Sequence, residues 1–187
     1  MSENRIAERF ELKEVRIRLV SEHTLYSEKP LSSPEAAVEV IKKEMADLDR
    51  EVLCVVNLNN KLRPINFNIV SVGDVSTTIA AIPNVLKSGL LSNASAFLMI
   101  HNHPSGDPTP SDEDILMTKR VIEAGKLMGL PCMDHIIVAD GGELLSMNET
   151  GFSDFSSPSI SMTAEAILRP LQHAKARKKT KHCYEER

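Results

Sequence analysis

The chain has 187 residues, 42% of them apolar and 4% aromatic, with no Trp and a formal net charge of −4. These figures suit one globular domain with an aliphatic core, plus a tail. The mild acidity gives no reason to expect a polyanionic partner, the charged opening residues do not read as a secretory signal, and the apolar runs fall far short of a bilayer span.

Residues 1–29 read as a charged lead with one strand, in which Val15, Ile17 and Leu19 alternate with charged neighbours. Ser33-Pro34-Glu35 is a helix start: an N-cap, a Pro at the first helical position and an acid in the first turn. Ala37, Ile41, Met45 and Leu48 then recur at helical spacing, so an amphipathic helix is expected to run to about Leu48. Glu51 follows and opens a run, residues 52–58, apolar enough for a central strand. Asn59-Asn60 marks a turn into a second strand carrying Ile65, Phe67 and Ile69. Pro83 starts a short helix with Leu86 and Leu90, and residues 96–100 form another buried strand. A longer helix is expected from Ser111 to about Met128, with its inner stripe at Met117, Val121, Ala124 and Met128. Residues 136–138 and 143–145 flank Asp140-Gly141-Gly142, a hairpin signal. Hairpins mixed with helices indicate an α/β or α+β domain over residues 30–152. Residues 153–187 turn Ser-rich and then basic (Lys175, Arg177, Lys178, Lys179, Lys181), which reads as a solvated tail lacking the aromatic platform of a single-strand binder.

Cys54, Cys132 and Cys183 are odd in number, with no close pair. A disulfide framework is not expected, and a reducing cytoplasm fits best. Cys54 and Cys132 stand in apolar surroundings and read as small core residues.

The informative stretch is residues 101–114. His101 and His103 stand two apart at the end of a strand, where side chains at i and i+2 point the same way. Three Pro and a Gly stiffen the following loop and deliver the chain to a helix at Ser111. Asp114 lies in that helix's first turn on the apolar stripe, where a carboxylate needs a partner, and a cation supplies one. Two imidazoles and one carboxylate leave the fourth position of tetrahedral zinc open for water, whose pKa falls to about 7 there. Such a site also needs a base that is not a ligand. Glu51 is the candidate, since no other Glu lies between it and Glu113, with Asp74 and Asp107 as rivals. Ser111 and Asp114 also fit a capping box, which serves helix stability alone. His135 reads as a supporting or structural residue rather than a ligand, and His23, His173 and His182 as surface residues.

The pattern His101-x-His103-Pro104-x6-Ser111-x2-Asp114 resembles the JAMM (JAB/MPN) metalloprotease motif at every defined position, and residues 101–111 resemble its bacterial RadC group. The similarity covers roughly residues 30–152, including Asp134-His135-Ile136-Ile137. It implies a JAB/MPN fold, cytidine-deaminase-like in layout, with a mixed sheet between helices. It also implies one zinc ion on His101, His103 and Asp114. A zinc-activated water would attack a peptide or isopeptide carbonyl, with Glu51 as general base and Ser111 steadying the oxyanion. The implied partner is a peptide or isopeptide-linked protein. The chain departs from the group in showing Ile82-Pro83-Asn84 where Pro-Arg-Glu is usual, and in lacking a helix-hairpin-helix signature before the core. The alternative reading is a DNA-associated RadC-like protein, in repair or in a mobile element, acting on nucleic acid. A zinc deaminase would need His-x-Glu and Pro-Cys-x-x-Cys, neither of which is present.

Overall fold

The structure is a computed structural model describing residues 14, 16–22, 24–45, 48–73, 81–139 and 141–156. In chain order it comprises α1 (Pro34–Met45), β1 (Val52–Leu58), β2 (Pro64–Val72), α2 (Ile82–Leu91), β3 (Ala96–His103), α3 (Asp112–Leu127), β4 (Cys132–Ala139) and β5 (Leu144–Ser146). The strands form one mixed sheet in the order β2-β1-β3-β4-β5. β3 and β4 are parallel, joined through α3, and the other neighbours are antiparallel.

The central strands β1 and β3 are buried along their whole length, because helices cover both faces. On one face α1 lays Ala37, Val38, Ile41 and Met45 against Cys54, Val56, Leu98, Ile100 and Ile136. On the other, α2 and α3 bring Val85, Leu86, Met117, Val121 and Ile122 onto Leu53, Val55, Phe97 and Met99. Each fully buried Val, Leu, Ile, Phe or Met side chain among them contributes roughly 1.5–3 kcal/mol. Cys54 and Cys132 are free thiols inside this core, and burial pushes the Cys54 thiol up to about 12. Gly125 lets α3 approach the chain ahead of β4, since a Cβ there would stand 2.5 Å from the Leu130 carbonyl oxygen.

Three expectations are corrected. Residues 16–20 form no strand: Ile17, Leu19 and Val20 are exposed, no strand among the described residues pairs with them, and Val15 lies outside the described residues. α1 is described as far as Met45, and Leu48 is not helical but packs against its cluster. Met128 is the C-cap of α3 rather than part of its inner stripe, and is exposed. The expected second strand is present as β2, and its Ile65 and Ile69 stay 43% and 44% exposed, because β2 is the edge strand and two register shifts against β1 break its alternation. Asp74, Asp140, His23, His173, His182, Cys183 and the basic tail lie outside the described residues. Among the described residues, no helix is long and apolar enough to cross a membrane.

Candidate metal centre

β3 ends in His101-Asn102-His103, and strand alternation sends the two imidazoles to the α3 side of the sheet and Asn102 to the α1 side. Residues 104–110 then carry the chain to Ser111, which caps α3. Ser111 Oγ accepts from the Asp114 N–H at 3.1 Å, and Asp114 Oδ2 accepts from the Ser111 N–H and hydroxyl at 2.9 and 2.6 Å. This capping box holds Asp114 in the first turn, buried and facing the histidines. Asp114 Oδ1 stands 3.5 Å from His101 Nε2, and Oδ2 3.7 Å from His103 Nε2. One ligand atom from each of His101, His103 and Asp114 lies within 4.8 Å of the others, so the three can hold one metal ion.

The donor chemistry fits a cation. His103 Nδ1 lies 2.7 Å from the Asp107 carbonyl, which can only accept, so Nδ1 carries the proton and Nε2 presents a lone pair. The two Nε2 atoms stand 2.8 Å apart beside the carboxylate, a spacing that a shared proton or a cation between them satisfies. Burial pushes His101 down to about 4, so it resists taking that charge as a proton. His103 is raised by its bond to Asp114 against desolvation, with further help from the Asp107 carbonyl and the charge of Glu51. Burial raises the Asp114 carboxyl, but His103, His101 and Ser111 outweigh it and hold it well below the usual carboxylate range. Two imidazole nitrogens and a carboxylate are a donor set that zinc accepts.

Glu51 belongs to the same face. Leu53 pairs with His101 across β1 and β3, so Glu51, two residues earlier, falls alongside His103 just beyond the paired ladder. Its position is secured by the main chain. Asn102 Oδ1 accepts from the Val52 N–H at 2.8 Å, Asn102 Nδ2 donates to the Arg50 carbonyl at 3.0 Å, and the Gly73 N–H donates to the Glu51 carbonyl at 2.9 Å. The rival Asp107 uses its carboxylate in a turn, accepting from the Thr109 N–H, and is exposed. Ser111 spends its hydroxyl proton on Asp114 Oδ2, so its visible work is to hold the carboxylate.

Three further residues support the site through hydrogen bonds that the fold sets up. His135 on β4 is fully buried, with Nε2 2.7 Å from His101 Nδ1. Its Nδ1 is 2.6 Å from Thr118 Oγ1 on α3, which donates to the Asp114 carbonyl at 2.6 Å. The third is Asn102. Asp134, next to His135, is satisfied by the His135 and Asn148 N–H groups and the Ser146 hydroxyl, and serves the turn after β5.

The mixed five-stranded sheet with helices on both faces is that of a JAB-type α/β domain. The sequence profile of the RadC-like JAB domain matches residues 31–152, more than half of the chain, and the chain belongs to that family. It is 41% identical over 125 residues to a UPF0758 protein of Caldanaerobacter subterraneus, covering 67% of this chain and 53% of that one. A UPF0758 protein of Shouchella clausii is 40% identical over 122 residues, covering 65% of this chain and 53% of that one. A third, from Methanosarcina mazei, is 36% identical over 122 residues, with the same two shares, 65% and 53%. The chain therefore spans about half the length of the curated relatives it matches.

Proposed function

We propose that this protein is a zinc-dependent hydrolase that cleaves an amide bond, in a peptide or an isopeptide-linked protein. The observation that carries the reading is the pair of Nε2 atoms 2.8 Å apart beside the buried Asp114 carboxylate. His101, His103 and Asp114 would hold the zinc, leaving a position free for water or substrate. Bound there, zinc supplies Lewis acidity, polarising a carbonyl and making a water acidic near neutral pH. The chain's own residues do the rest. Glu51, alongside His103 and not part of the ligand cluster, takes a proton from the attacking water and returns it to the leaving amine. The Asp107 carbonyl orients His103, and Ser111 locks one oxygen of Asp114.

The test is zinc stoichiometry by elemental analysis of wild type, His103→Ala and Glu51→Gln. One zinc in wild type, lost in His103→Ala and retained in Glu51→Gln, is the expected result. Hydrolysis of isopeptide-linked substrates should then be absent in Glu51→Gln. A wild type that takes up no zinc after supplementation overturns the reading.

A further inference from the structure

A fully buried imidazole is costly unless each of its polar atoms is partnered, and His135 is 0% exposed. Its two bonds run in one direction only. The Asp114 main-chain carbonyl can only accept, so the Thr118 hydroxyl, 2.6 Å away, spends its single proton there. Thr118 Oγ1 must then accept from His135 Nδ1, also at 2.6 Å. The opposite arrangement would leave two oxygens 2.6 Å apart with no proton between them. With its proton on Nδ1, neutral His135 has a bare Nε2, which accepts from His101 Nδ1 at 2.7 Å. His101 thereby keeps its proton on Nδ1, and its Nε2 lone pair faces His103 Nε2 and Asp114 Oδ1. The series starts on the main chain of one cluster member and ends on the ring of another.

We propose that His135 and Thr118 are positioning residues that set the metal affinity of the site by fixing His101 in the tautomer that presents Nε2. This rests on the reading of His101, His103 and Asp114 as a metal site. Parallel pairing of β3 and β4 places Met99 opposite His135, so the His135 ring rises on the same face as His101, beneath α3. Partners of this kind, one bond behind a metal ligand, tune binding by roughly 10–100-fold.

The test measures zinc dissociation constants by chelator competition for wild type, Thr118→Val, His135→Leu and His135→Gln. Imidazole 15N NMR of the metal-free wild type and Thr118→Val is recorded alongside. Thr118→Val keeps the side chain's shape and removes only the hydroxyl, so it reports even where His135→Leu fails to fold. The expected result is roughly 10–100-fold weaker zinc binding in Thr118→Val and His135→Leu. His135→Gln, which retains an acceptor and a donor, should recover most of the affinity. NMR should find the His101 proton on Nδ1 in wild type and a loss of that preference in Thr118→Val. Zinc bound equally by all four proteins, or a wild-type His101 protonated on Nε2, overturns the relay alone. No zinc on wild type overturns the metal reading and the proposal with it.

Discussion

Asn102 brackets Glu51: its carboxamide accepts from the amide of the residue after and donates to the carbonyl of the residue before. It imitates a peptide unit where the ladder between β1 and β3 has stopped, and holds the Glu51 backbone beside His103. Asn102→Ala leaves the buried Val52 N–H without its acceptor, at a cost of about 1–3 kcal/mol. The Val52 amide should exchange with solvent much faster, while zinc content stays unchanged. Asn102→Asp keeps the acceptor and should restore Val52 protection, but not the bond to Arg50. Unchanged Val52 exchange in Asn102→Ala would count against the bracket.

Ser111 caps α3 and restrains Asp114 at once. Ser111→Ala should therefore lower stability by about 1 kcal/mol through the lost cap. It should also weaken zinc binding by about tenfold, because Asp114 Oδ2 loses one of its two donors. Thermal denaturation and zinc titration read the two effects separately. A stability loss with unaltered zinc affinity would leave Ser111 as a cap alone.

Gly125→Ala tests the approach of α3 to β4. Alanine favours helix, yet its Cβ would lie 2.5 Å from the Leu130 carbonyl oxygen and 3.4 Å from the Phe97 ring. The backbone must shift, costing about 1–3 kcal/mol. Urea denaturation should show a lower midpoint, and a midpoint raised by helix propensity would refute the contact.

The metal-free protein should lose stability in the histidine range. Burial takes His101 from 6.5 to about 4 and His135 well below 6.5, so between those values the unfolded chain binds more protons than the folded one. Stability therefore falls as pH drops from 6.5 towards 4, by about 1.4 kcal/mol per pH unit for each group. His103, whose pKa is raised, is protonated in both states across that window and adds no slope. Urea midpoints of chelator-treated protein at pH 7 and pH 5 check this, and an equal or higher midpoint at pH 5 contradicts it.

Short-range physics made much of this protein readable from its residues. The cap and periodicity of α1, the apolar runs of β1 and β3, the spacing of His101 and His103, and the first-turn place of Asp114 all depend on neighbours within a few positions. That is why the α/β class and the His-His-Asp cluster were visible in the chain. The bond from His135 to His101 depends on parallel pairing across 34 residues, and the Asn102 grip on the chain around Glu51 spans 50 and 52. No local periodicity encodes such partners, since the sheet's strand order and register choose them. The same holds for β2, whose alternating residues resemble those of a covered strand, and for residues 16–20, whose alternation forms no strand. For β2 the position of the sheet's edge, a property of the assembled fold, decided the exposure.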